Sequence, residues 1–268
     1  MSFVSGKLLK AVVATMLLFA LIDSESRSQS LNESLADGWN AWRVAAADNA
    51  VGQCCFTWSQ GVAMPRKCNL DTHQSYQSND RSLLSSPNEI QIYVLLQSGK
   101  ATKIRALSPR CPVLASTAIN DLGVVSAGES VSWLDEYVSP RMELSPDAIA
   151  AIASHNGPES TRLLLDTGRA DRDPENRTDA IFWMAMTAVD NSEDEIKRAI
   201  ANDPDSDVRE RAVFALTLLP NERSTNGLVD VLENRRIELN LREEALFWLA
   251  QSESDDAFEY LSNLLTGN

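Results

Sequence analysis

The segment Leu241 to Gln251, LREEALFWLAQ, restates two earlier ones, RTDAIFWMAM from Arg177 and VRERAVFALTLL from Val208. Aligned on the alanine three residues after an arginine, they place Ala180, Ala212 and Ala245 behind Arg177, Arg209 and Arg242, at spacings of 32 and 33 residues. One period earlier stands Ala148, in SPDAIAAIASHNG, without an arginine partner. A period in the low thirties that holds two helices marks stacked helix pairs, because one pair cannot cover its own apolar face. In the third unit Val208, Ala212, Ala215, Leu216 and Leu219 recur at helical spacing up to Pro220, and Leu228, Val231 and Leu232 follow on a second helix. Ser192 and Glu195 have the spacing of a capping box at the start of another. The units run over 145–176, 177–208, 209–240 and 241–268.

The recurrence has a physical reading that needs no ligand. Alanine at 180, 212 and 245 lets neighbouring helices approach closely. Arg177, Arg209 and Arg242, together with acids such as Asp207, are expected to form a structural ladder along the stack. Trp183 and Trp248 are expected to be core wedges.

The stretch DPDSDVRERAVFAL from Asp203 to Leu216 resembles the HEAT repeat, in the short variant of phycobilisome lyases whose first helix opens D-x-x-V-R-x-x-A. LREEALFWLAQ shares that pattern, and RTDAIFWMAM shares it more weakly. The resemblance implies an all-α solenoid over 145–268. The Phe–Trp pairs at Phe182, Trp183 and Phe247, Trp248, with a cysteine-bearing segment in front, are also similar to a group of bacterial envelope HEAT proteins of undefined activity.

The first half reads differently. In NEIQIYVLLQSGKATKIRALS, Ile90, Ile92, Val94 and Leu96 alternate on one side, Ser98 and Gly99 make a turn, and Ile104 and Ala106 return, which predicts a β-hairpin. CCFTW from Cys54 is a further strand, and Asp71 to Asn88 reads as a loop. Trp39 and Trp42 are expected in the core. All four cysteines, Cys54, Cys55, Cys68 and Cys111, fall in this half. Joining Cys54 to its neighbour Cys55 would strain an eight-membered ring, so each is expected to bond to Cys68 or Cys111, in either of two arrangements. The fold class is therefore α+β in two domains: a small disulfide-bonded β-rich module over 31–138 and a HEAT-like helical array of about four repeats over 145–268.

Lys7 and Lys10 precede an uncharged run from Ala11 to Ile22, and Ser24, Ser26 and Ser28 follow, which is the layout of a secretory signal peptide over 1–28. Twelve apolar residues rise about 18 Å as a helix, short of a hydrocarbon core of about 30 Å. The expectation is a periplasmic or secreted protein without stable membrane insertion. A formal charge of -14 repels phosphate backbones and makes nucleic acid an unsuitable ligand. The two histidines, His73 and His155, stand in no nucleophile or metal motif, and His155 in SHNGP reads as a solvated turn residue. Asp203, Asp205 and Asp207 read as loop and helix caps. No cofactor and no metal are expected.

The functional expectation is a non-enzymatic exported scaffold that binds another protein. From Arg177 to Asn268 nineteen acidic residues face nine basic ones, so the partner is expected to carry a basic segment. Asp230, Glu233, Asp256 and Glu259, on the second helices, are the candidate binding residues. The alternatives are a chromophore-lyase-like enzyme, which the repeat variant implies, and a redox or metal sensor built on the cysteines.

Overall fold

A hydrophobic run with one extended period and a run with a helical period must bury their apolar sides against something, and here they bury them against each other. The computed structural model describes residues 30–48, 50, 54–59, 62–65, 67–72, 88–189 and 191–267. The chain is mixed in class, with a small sheet toward its N-terminus and helices packed against one another after it. From Leu31 onward it forms one compact unit. The first 29 residues, including the signal-like run, lie outside the described residues, as do His73 and most of the 71–88 loop.

A short helix, α1 (Leu31–Ser34), leads into β1 (Gly38–Ala45). The anticipated hairpin is β5 (Glu89–Gln97) and β6 (Lys100–Leu107), antiparallel with Gln97 opposite Lys100. Its turn residues Ser98 and Gly99 both have positive φ, 51° and 72°, which suits a two-residue turn whose twist matches the strands. β1 pairs antiparallel with β5 and parallel with β8 (Ile119–Val124), giving the order β6-β5-β1-β8. Two short pairs stand apart, β2 (Phe56–Ser59) with β3 (Val62–Pro65), and β4 (Cys68–Asn69) with β7 (Val113–Leu114).

The sheet is covered on both faces. Trp42, Val44, Ile90, Ile92, Val94, Leu96 and Ile104 join the core shared with the helices. Trp39, Ala41, Tyr93, Leu95 and Leu107 face a second core that contains Cys55, Cys68 and Cys111. Both tryptophans are thus interior, at 1% and 0% exposure, on opposite sides of one strand. Cys54 is bonded to Cys111 and Cys55 to Cys68, with Cα–Cα distances of 5.5 and 5.2 Å. Asp71 fastens this layer: its carboxylate accepts from Trp39 Nε1 at 3.0 Å and from the Ser116 N–H at 2.7 Å, while its carbonyl accepts from Lys103 Nζ at 2.8 Å. The Trp39 hydrogen bond is the main reason that this carboxyl lies below the ordinary carboxylate range.

The helical part starts before residue 145. α2 (Ala127–Asp135) is capped by Ser126, whose hydroxyl accepts from the Glu129 N–H, and Trp133 packs edge-on against Trp42 at 5.6 Å. Four helix pairs follow: α3 (Ser145–Ala153) with α4 (Pro158–Ala170), α5 (Pro174–Thr187) with α6 (Ser192–Asn202), α7 (Ser206–Leu216) with α8 (Asn221–Glu233), and α9 (Leu239–Gln251) with α10 (Asp255–Thr266). Alternate helices touch in two series, α3, α5, α7, α9 and α2, α4, α6, α8, α10. Ala180, Ala212 and Ala245 are each fully buried where the first series packs. Trp183 is buried and Trp248 half-buried.

Ser192 and Glu195 form no capping box. Ser192 lies inside α6, its hydroxyl accepting from Arg223 at 3.0 Å, while Glu195 turns to Arg169 and Arg198 on α4 and α6. A carboxylate flanked by two guanidinium groups gains more from them than from a backbone N–H. Arg169 is the main cause of the fall of the Glu195 carboxyl to about 2.

Candidate functional site

The arginines at the recurring position make unequal rungs. Arg177 is buried and grips Asp203 with two parallel hydrogen bonds, Nε to Oδ2 at 2.8 Å and Nη2 to Oδ1 at 2.7 Å, while Nη1 donates to the Asp171 carbonyl at 2.9 Å. Arg209 repeats the carbonyl contact, to Asp203 at 2.7 Å, but reaches Glu238 only at 3.4 Å and leaves its buried Nε without a partner. Arg242 donates Nε to the Leu232 carbonyl at 2.8 Å. The receiving acid is Asp203. Asp207 lies exposed in the first turn of α7, where Asp205 accepts its backbone N–H.

The expected binding acids are placed on the second series of helices. Asp230 on α8 is exposed but already joined to Lys197 of α6 at 2.5 Å, and Glu233 accepts from the Tyr260 hydroxyl of α10 at 3.2 Å. Asp256 and Glu259 are exposed on α10. Two of the four carboxylates therefore tie neighbouring helices together.

His155 corrects the sequence reading. It is 2% exposed rather than solvated, because the Asn156 N–H bonds to the Ala45 carbonyl at 2.9 Å and the Ala47 N–H to the Ser154 carbonyl at 2.9 Å, closing the α3–α4 loop over the end of β1. The ring donates from Nδ1 to the Ala151 carbonyl at 2.8 Å. That fixes Nε2 as the acceptor of the Ser130 hydroxyl at 2.8 Å, and the Ser130 oxygen in turn accepts from Trp42 Nε1 at 2.7 Å. A serine–histidine pair is thus present, but the serine is fully buried, a tryptophan occupies its oxygen, and a carbonyl rather than a carboxylate orients the ring. This is a network that locks sheet to helices.

Burial is the chief cause that lowers the His155 pKa to about 4 from an ordinary 6.5. The unfolded chain therefore binds a proton that the folded chain refuses. Stability from this residue is complete above about pH 6.5 and falls by up to about 3 kcal/mol as the pH drops toward 4. Asp179, pushed up to about 6 mainly by burial, works in the opposite direction over this range. The expected result is that His155→Gln melts with a shallower acid dependence between pH 7 and 5 than the parent chain. Parallel curves for the two would show that His155 is not titrating against burial.

A groove of about 710 Å³ lies beside this network, lined by Asp48, Asn156, Thr161, Arg162, Asp166 and Asn191 among others. Among the described residues no group of three or more His, Cys, Asp or Glu side chains is placed to hold a metal, and no helix is long and apolar enough to cross a membrane.

A row of aromatic side chains runs across α5, α7 and α9, while α10 exposes Phe258, Leu264 and Leu265. Five residues after each recurring arginine stands a phenylalanine, Phe182, Phe214 and Phe247, in equivalent positions on the three helices. Phe182 is half-buried, Phe214 is 36% exposed and Phe247 53% exposed. Phe214 meets Trp248 across the helix boundary at 5.2 Å, and Phe247 meets the same ring at 5.1 Å. One helical turn toward the N-termini lies a row of charges, with Asp179 on α5, Glu210 and Arg211 on α7, and Glu243 and Glu244 on α9, and Glu175 stands one turn further along α5. Arg211 pairs with Glu175 at 3.2 Å. The Glu244 carboxyl is raised, first by burial and further by Glu210, against a 3.3 Å hydrogen bond from Trp248 Nε1. The signal available in the sequence for the phenylalanines was their recurrence on the side of the helix away from Val208, Ala212 and Leu216.

Compared with known proteins, the chain matches no family model, and no curated protein matches it significantly.

Proposed function

We propose that the protein is an exported, non-enzymatic interaction scaffold, a HEAT-like helical array that presents its first-series helices to a protein partner. The observation that carries this reading is the row Phe182, Phe214 and Phe247, one aromatic at the same position in each of the last three helix pairs and increasingly exposed toward α9. Fold maintenance alone would favour polar residues there, since an exposed aromatic gains little from packing and promotes association. Aromatic side chains on a rigid helical surface contribute to binding with little loss of conformational freedom. The paired cysteines and the signal-like N-terminus support export, since such pairs persist in oxidising compartments.

The test is cross-linking capture from the native envelope with the mature chain, the double variant Phe214→Ser/Phe247→Ser and the quadruple variant Asp230→Lys/Glu233→Lys/Asp256→Lys/Glu259→Lys. The scaffold reading expects a discrete partner that the phenylalanine variant loses while its helical circular dichroism is kept. If the quadruple variant alone loses that partner, the contact belongs to the second-series helices. If neither variant changes what is captured, the helical surface is not the docking site.

A further inference from the structure

The two rows on α5, α7 and α9 differ in chemistry, and together they limit what can lie across them. The aromatic row offers the faces and edges of Phe182, Phe214 and Phe247. The charged row offers Asp179, Glu210 and Glu244, with Arg211 beside them, paired with Glu175 and acting also on Asp179. Such an arrangement is unfavourable when empty. Asp179 and Glu244 are half-buried, and each has another carboxylate as a neighbour, Glu175 for the first and Glu210 for the second. Bringing a like-charged pair out of water costs free energy. Arg211 offsets part of this cost at Asp179 and Glu175, whereas Glu244 faces Glu210 with the Trp248 N–H as its donor, so a cation from outside returns most there. The second-series acids differ: Lys197 and Tyr260 already satisfy Asp230 and Glu233, and Asp256 and Glu259 are exposed to water rather than half-buried.

Resting on the scaffold reading, we infer that the partner segment is a basic, amphipathic stretch of polypeptide that lies across α5, α7 and α9, its lysines or arginines against Asp179, Glu210 and Glu244 and its apolar side chains on Phe182, Phe214 and Phe247. Charge complementarity sets the sign. A cationic head beside a carboxylate and within about 6 Å of an aromatic face gains from both, through the ion pair and the ring quadrupole. The aliphatic stems of lysine or arginine suit the aromatic row, since they bury methylenes while the charge stays at the acids. An acidic or purely apolar segment meets only one row or is repelled.

The test uses two labelled decapeptides, alternating lysine with leucine and alternating glutamate with leucine, titrated against the chain with its disulfides intact by fluorescence anisotropy. The lysine peptide is expected to bind and the glutamate peptide not to, with binding weakened as salt rises from 0.05 to 0.5 M. Asp179→Asn/Glu244→Gln is expected to weaken binding about tenfold or more, and Asp256→Asn/Glu259→Gln to leave it within about twofold, although both remove the same formal charge. Circular dichroism and melting identify a variant that fails to fold, and Phe214→Ser supplies an independent probe of the same surface. Failure of the lysine peptide to bind, or equal weakening by the two acid pairs, overturns the inference. If the captured partner still depends on the phenylalanines in that event, the scaffold reading stands and only the basic character of the segment is withdrawn.

Discussion

Removing the Cys54–Cys111 bond is expected to destabilise the chain more than removing Cys55–Cys68. The two bonds span 57 and 13 residues. In the chain-entropy model loops of those lengths restrict the unfolded state by about 4 and about 3 kcal/mol, a large part of the 5–15 kcal/mol that a folded domain typically has. Neither loss should stay local. The bonds hold a layer that covers Trp39, Tyr93, Leu95 and Leu107 on one face of the sheet, and the other face is continuous with the helical core. Cys54→Ala/Cys111→Ala and Cys55→Ala/Cys68→Ala, unfolded in urea with tryptophan fluorescence and circular dichroism read together, should show lowered midpoints by both signals. Unfolding free energies within about 0.5 kcal/mol of the parent chain would mean that the second core holds itself together without staples.

Arg177→Ala carries the second large expectation. Both members of the Arg177–Asp203 pair are buried, with side-chain exposures of 8% and 2%. Burial would push the Asp203 carboxyl up, but the hydrogen bonds from Arg177 and the Asp205 N–H outweigh it and hold the group below its ordinary value. Truncating the arginine leaves that carboxylate buried without its cation and the Asp171 carbonyl without its donor, at a cost of about 3–5 kcal/mol. Arg209→Ala should cost less, about 1–3 kcal/mol, since its firm contact is one carbonyl and its acid is distant. Arg235→Ala, exposed between α8 and α9, should cost under about 1 kcal/mol. The charge argument has a further consequence: Arg177→Met with Asp203→Leu should recover much of the loss, because replacing a buried pair by apolar groups is often near neutral. A double variant as unstable as Arg177→Ala would show that the hydrogen bonds, not the stranded charge, dominate.

Features that depend on neighbours close in sequence were legible before any coordinates. Alternation of Ile90, Ile92, Val94 and Leu96 with a Ser98–Gly99 turn is enough to specify a hairpin, since side chains point alternately in any strand. The spacing of Ala180, Ala212 and Ala245 at helical positions predicted helices that pack on one another, and those alanines are buried where α5, α7 and α9 pack. The cysteine pairs were narrowed to two arrangements by ring strain alone.

Tertiary structure decided everything that depended on what arrives from far along the chain. Cys54 pairs with Cys111 and Cys55 with Cys68 in a layer where β4 and β7 join residues more than forty positions apart. Ser192 and Glu195 have capping-box spacing, yet Arg169 and Arg223 come from other helices and take them. His155 sits in a loop of turn-forming residues, and only the end of β1 closing over that loop makes it buried. The rung acid is Asp203 rather than Asp207 because the side chain that turns inward at the α6–α7 junction is set by the stacking of α5 on α7. Phe182, Phe214 and Phe247 recur off the stripe of Val208, Ala212 and Leu216, and how far each is exposed was fixed by the helices packed beside it. Local sequence selects conformation because backbone sterics act over a few residues; burial, and with it the surface left for a partner, is settled by the elements that pack together.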